Sequence, residues 1–140
     1  MGIWHASTTP EFLTERGQAT LPGHLGIRFT EIGPDYLRAT MPVAAHTHQP
    51  YGVLHGGASV ALAETVGSVA AMLCVDTEQF MCLGQEINAN HLRALSAGLV
   101  TATARPSFGS WPRPSAASTA RTHAMRAPAS ANGARVSRWP

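Results

Sequence analysis

The sequence predicts an α+β fold in which one long buried helix is wrapped by an antiparallel sheet. Two observations carry that expectation. Residues 57–75 are small and apolar on nearly every side of a helix, which marks a helix for burial. The segments on either side alternate apolar and polar residues as half-buried strands do. The order of elements, helix, two strands, long helix, then strands again, is that of an α+β domain. At 140 residues the chain is long enough for one such unit with a real core and too short for two ordinary ones.

The first element is a short helix. Thr9-Pro10-Glu11 supplies a capping hydroxyl, a proline where the helix has no donor to lose, and an early acid, so the helix runs to about Arg16. A loop through Pro22 and Gly23 follows. Leu25–Ile32 and Tyr36–Val43 read as two strands joined by Gly33-Pro34-Asp35, with Ile27 and Phe29 alternating against Arg28 and Thr30. Past the long helix, Phe80–Leu92 and Leu99–Ala104 read as further strands around a turn at 94–98.

Charge divides the chain near Pro106. Residues 1–106 hold five Arg and all eight acidic residues, whereas 107–140 hold five Arg and no acid. That tail is rich in Ala, Ser, Arg and Pro, with prolines at 112, 114, 128 and 140, and proline cannot donate to a sheet ladder. The organisation expected is therefore a domain over 1–106 and an aberrant tail over 107–140, read as a frameshifted or otherwise divergent C-terminus.

Several function classes fall away. Met1–Pro10 has no basic segment leading into an apolar one, so it does not read as a signal peptide. The apolar run from Gly56 to Val75 contains Glu64, Thr65, Ser59, Ser68 and three glycines, and a mid-span charge is costly in lipid, so no membrane association is expected. Cys74 and Cys82 have neither a disulfide-framework nor a zinc-site spacing, which fits a cytoplasmic location. His46-Thr47-His48 lacks a neighbouring Cys or carboxylate, so no metal is assigned. Gly57-Ala-Ser59-Val-Ala61 misses the second glycine of a nucleophile elbow. Phosphate-loop and dinucleotide fingerprints are absent, and the basic tail lacks the interleaved aromatics of a nucleic-acid surface, so neither a cofactor nor nucleic acid is expected.

The chemistry concentrates in 49–68. His55-Gly56-Gly57 stands where the long helix begins, and a helix N-terminus leaves backbone N–H groups unpaired with a partial positive charge behind them. Donors so placed suit the oxyanion of acyl transfer. Glu64 is the one charged side chain of the buried helix. A carboxylate taken out of water holds its proton more tightly, which suits a general base, and it can also attack an acyl carbon directly. The bland alternative is a glutamate at a solvent-facing corner or one hydrogen-bonded for structure.

Ser68 lies one turn further on the same face, either to hydrogen-bond Glu64 or a water or simply to permit close packing. Gln49 either orients water or a carbonyl oxygen or decorates the loop. His55 either contacts an acyl carbonyl or caps the helix, and the spacing favours the cap. Gly56 and Glu64 are about 12 Å apart along one helix, so they cannot serve the same carbonyl. If both act, the site lies between two subunits.

At these residues the chain resembles the hotdog-fold acyl-CoA thioesterases, of the kind that act on 1,4-dihydroxy-2-naphthoyl-CoA in menaquinone synthesis or proofread enterobactin assembly. The matching text is Ala39-Thr-Met-Pro-Val43, Gln49-Pro-Tyr-Gly-Val-Leu-His-Gly-Gly-Ala-Ser59, Leu62-Ala-Glu-Thr-Val-Gly-Ser-Val-Ala70 and Glu86-Ile-Asn-Ala-Asn-His91, within about residues 3–106. The resemblance implies metal-independent hydrolysis of an aromatic or other acyl-CoA, with Glu64 as nucleophile or base. Gln49, His55 and Gly56 would hold the carbonyl or water, and Ser68 would assist.

It further implies a homo-oligomer, a dimer or dimer of dimers, with coenzyme A across a subunit boundary and its pantetheine arm entering at Gly56-Gly57. His91 and Arg93 would contact the nucleotide end, and Tyr51 and Met72 would line the acyl pocket. The tail departs from the family, which calls for two more alternating strands after Pro106. A proofreading enzyme acting on an acyl-carrier protein and a non-catalytic or vestigial acyl-CoA binder are the alternative readings.

Overall fold

The computed structural model describes residues 2–84 and 86–105, together with the backbone of 120–121. The first helix, α1 (Pro10–Arg16), forms as its cap dictates: the Thr9 hydroxyl accepts from the Phe12 N–H, Pro10 occupies the first turn, and Leu13 turns into the core. The expected loop around Pro22 instead contains a single helical turn, α2 (Leu21–His24), which ends in Gly26 at φ +70°. Residues 25–27 are thereby removed from the first expected strand. That strand, β1 (Arg28–Ile32), starts three residues later than the alternation suggested.

Strand β2 (Leu37–Val43) buries Leu37, Ala39, Met41 and Val43 on one face and is the middle strand of a three-stranded antiparallel sheet. It pairs with β1, through an irregular register between Phe29 and Glu31, and with β4 (Gly98–Ala104) in an unbroken ladder from Leu37–Ala104 to Val43–Gly98. A polar cluster clasps the hairpin end. Arg38 and Arg105 lie 4.7 and 5.0 Å from the centre of the Tyr36 ring, Glu31 accepts from the Tyr36 hydroxyl and pairs with Arg38 at 2.6 Å, and Asp35 pairs with Arg105 at 2.5 Å.

Across the sheet lies α3 (Gly56–Leu73). Ala58, Leu62, Val66, Gly67, Ala70 and Leu73 form a stripe at helical spacing that packs against β2 and β4 with Ile27, Phe29, Leu37 and Met41. Leu62 is 1% exposed, so Leu62→Ala should destabilise the fold by about 2–5 kcal/mol, read as a lower denaturant midpoint with unchanged slope. The N-terminal segment ties both layers together: Trp4 Nε1–H donates to the Gly33 carbonyl at 2.6 Å and the His5 N–H to that of Leu73 at 2.7 Å.

Two further expectations are corrected. Burial of α3 is one-sided within the chain: Val60, Ala61, Ala63, Glu64, Thr65 and Ser68 are only half-buried, because a three-stranded sheet covers one face of a helix and no more. The helix has the length and hydropathy to cross a membrane, yet its apolar stripe is spent on the sheet. The strand expected over Phe80–Leu92 shrinks to β3 (Cys82–Leu83), paired in parallel with β5 (Ala120–Arg121). Residues 87–92 carry strand-like text but join no sheet among the described residues, and an extended segment is a strand only when paired. The tail expected to be aberrant, 107–140, lies outside the described residues apart from the backbone of Ala120 and Arg121.

Both cysteines carry free thiols, Cys74 capping the end of α3 and Cys82 in β3. Burial, reinforced by Cys82, pushes the Cys74 thiol up to about 11. Because the folded value is raised, its contribution to stability is full at neutral pH and is lost as pH rises through 9 towards 11. Alkylation of Cys74 by iodoacetamide should accordingly be slow at pH 8 and accelerate with a midpoint near 11; an ordinary midpoint near 9 would contradict this assignment.

Candidate functional site

The loop that delivers the chain to α3 is held by its own backbone. Gln49 N–H donates to Val53 O at 2.8 Å and Gly52 N–H returns to Gln49 O at 2.9 Å, with Gly52 at φ +73° making the turn possible. The His55 N–H donates to Thr47 O at 2.8 Å. Thr47 is buried, its hydroxyl donating to Pro42 O at 2.8 Å and accepting from Ala44 N–H at 3.0 Å. These bonds fix where the helix begins. They leave the half-buried Gln49 carboxamide with no hydrogen bond to the described residues. Tyr51, at the tip of the turn, is 88% exposed.

At the helix start the histidine is a cap. His55 Nδ1 accepts from Gly57 N–H at 2.8 Å, so that nitrogen is unprotonated and the Gly57 donor is occupied. Gly56 N–H, by contrast, has no partner among the described residues. One amide of the glycine pair is therefore unpaired among the described residues, with the dipole of an 18-residue helix behind it.

The His91 ring lies against Gly56: a Cβ built there would come 2.8 Å from His91 Nε2. Ser59 links the two, its hydroxyl 2.8 Å from Gly56 O and 3.4 Å from His91 Nδ1. The structure thus brings His55, Gly56, Gly57 and His91 to one place, although His91 is far from them in sequence. Arg93 is exposed two residues on, its guanidinium in no ion pair with the described residues.

The second grouping is mid-helix. Ser68 Oγ donates to Glu64 Oε1 at 3.2 Å, across one turn. Gly84, just beyond β3, presses on the same carboxylate: a Cβ at that position would overlap Glu64 Oε1 and lie 2.7 Å from Cδ. Within one chain this grouping is separate from the first. Gly56 and Glu64 stand eight positions apart, about 12 Å along the helix. Met72 lies as far again beyond Glu64 and packs its half-buried side chain against the core.

Sequence reasoning missed Ser59 and Gly84. Ser59 had a local signal, a hydroxyl within the first turn of a helix with bonding groups to fill. Gly84 had none, because its role exists only once β3 crosses α3.

Chemically, the arrangement offers an unpaired amide suited to an oxyanion and an anchored carboxylate. The family model described as Thioesterase superfamily matches residues 51–108. The 1,4-dihydroxy-2-naphthoyl-CoA hydrolase of Escherichia coli K12 is 51% identical over 104 residues, 74% of this chain and 76% of that protein. The chain belongs to the thioesterase superfamily.

Among solved structures, a mutant thioesterase from Pseudomonas aeruginosa superposes with a TM-score of 0.75 at 48% identity, covering 78% of this thioesterase and 79% of that chain. A Staphylococcus aureus thioesterase, at 34% identity and a TM-score of 0.55 over 61% of this chain and 70% of that one, was crystallised as a glutamine-to-alanine mutant, and separately as a glutamate-to-alanine mutant. The two replaced positions in that relative are fifteen residues apart, the same separation as Gln49 and Glu64 here. The fold is that of the hotdog thioesterases, and the chain is an enzyme of the thioester-hydrolase class.

Proposed function

We propose that this thioesterase hydrolyses an acyl-CoA to the free acid and CoA in a site shared by two subunits. The observation that carries the reading is the pairing of one unpaired amide, Gly56 N–H, with one anchored carboxylate, Glu64, on a helix too long for them to meet in a single chain.

The Gly56 N–H of one subunit receives the carbonyl oxygen and holds its charge as the tetrahedral intermediate forms. The Glu64 carboxylate of the other removes a proton from water, whose oxygen bonds to the acyl carbon; the C–S bond then breaks and the CoA thiolate leaves. As nucleophile instead, Glu64 bonds to the acyl carbon and the C–S bond breaks to release the CoA thiolate, leaving a mixed anhydride that water hydrolyses to the acid and free Glu64. Gln49, its carboxamide free, orients the water or the carbonyl, and the common spacing of the glutamine and glutamate in the staphylococcal relative supports that partnership. Ser68 holds Glu64.

The uncovered half of α3, together with exposed Met81, Leu92 and Leu99, offers apolar surface to a second copy, which supports a dimer or dimer of dimers. His91 and Arg93 would meet the phosphates of CoA, while Tyr51 and Met72 would border the acyl group. The aromatic substrate of the Escherichia coli relative makes an aromatic acyl-CoA the first choice. A cytoplasmic site of action completes the reading.

The test is thiol release by the full chain from benzoyl-CoA, a long-chain acyl-CoA and an aroyl-carrier protein at equal concentration. The proposal expects the highest kcat/KM on the aromatic CoA ester. Preference for the carrier protein would make the enzyme a proofreader, and binding of all three without turnover would make it a vestigial acyl-CoA binder.

A further inference from the structure

We infer that Gly84 is a positioning residue for the Glu64 carboxylate, an inference that rests on the reading of Glu64 as the reacting group. Gly84 follows β3, which crosses α3 at the level of Glu64. A Cβ there would overlap Oε1, stand 2.7 Å from Cδ and stand 3.2 Å from Oε2, so the carboxylate occupies the very volume that any other residue would fill.

Backbone conformation does not account for the glycine. The chain uses positive φ at Gly26, Gly52 and Gly98, and not at Gly84. Space is what the position supplies. With no side chain at 84, the chain closes directly over one edge of the carboxylate while the Ser68 hydroxyl bonds the same oxygen, Oε1, at 3.2 Å.

The consequence is an oriented carboxylate. Oε1 is confined by Ser68 and the bare Cα of Gly84, and Oε2 is left for the water or the acyl carbon. A methyl group at 84 must push the carboxylate aside, because the overlapping atom belongs to Glu64 itself. A displacement of the order of 1 Å in a reacting group costs about 10²-fold in rate.

The experiment compares Gly84→Ala in two backgrounds by steady-state kinetics on an acyl-CoA, with single-turnover measurement where rates are low. In the wild-type background kcat should fall about 10²-fold with KM changed less than about 3-fold and the melting temperature preserved. In a Glu64→Asp background the carboxylate is one methylene shorter and withdraws from the added methyl, so the same substitution should cost less than about 3-fold. An equal cost in both backgrounds, or an undiminished kcat in Gly84→Ala, overturns the inference. Glu64→Ala, measured alongside, separates the two levels: full activity in that variant refutes the role of Glu64 itself, whatever Gly84 does.

Discussion

Glu64→Ala should lower kcat on an acyl-CoA by about 10³-fold while leaving the fold and the substrate affinity close to those of the wild type. The carboxylate is half-buried, and its only hydrogen bond to a described side chain is with Ser68, which can turn to water when the partner is lost. Little else in the core depends on it, since the stripe that packs α3 on the sheet runs through Leu62 and Val66 on the other side of the helix. Thermal melting therefore should not fall with activity. A variant that loses both together would show Glu64 to be a structural residue, the bland alternative that a charge in an apolar helix always carries.

Gly56→Pro should be nearly as damaging for a different reason. The substitution deletes one N–H and alters little else. Proline is favoured at the first position of a helix, where its missing donor has no partner to lose, and Gly56 N–H has none among the described residues. The preceding residue is compatible, because His55 already sits at φ −68°, ψ 130°, the extended region that a following proline requires. The added ring meets the outer edge of His91, an exposed side chain that can swing away. Stability should thus be kept, while loss of the oxyanion donor lowers kcat by about 10²–10³-fold. If Gly56→Pro is both stable and fully active, that amide does not hold the carbonyl oxygen.

Local chemistry explains which parts of the molecule the sequence disclosed. Thr9-Pro10 announced α1 because capping is settled within one turn. The apolar run announced α3 because no strand of that length and composition would be sensible, and Glu64 was conspicuous as the lone charge within it. His55 was legible as a cap from spacing alone. By contrast, α2 and the late start of β1 depend on Gly26 taking a positive φ between Pro22 and the sheet, which alternation does not encode.

Residues 87–92 look like a strand by composition, yet pairing decides, and they join no sheet among the described residues. The half-exposed face of α3 was hidden for a related reason. An all-round apolar helix reads as enclosed, but the sequence of one chain does not say whether its own sheet or a second copy encloses it. His91 and Gly84 reached the site only through long-range packing, so a resemblance was needed to nominate the first and nothing nominated the second.

The central claim is that the amide and the carboxylate of one site come from different subunits, and mixing inactive subunits tests it most directly. Glu64→Ala and Gly56→Pro chains, each nearly inactive alone, are unfolded together, refolded and assayed for CoA release. Random pairing makes half the dimers mixed, and each mixed dimer has one site with both defects and one with none, so activity should recover to about a quarter of the wild-type value. If the mixture, shown to contain mixed dimers, stays as inactive as its parents, the two groups belong to the same chain's site and the shared-site account is wrong.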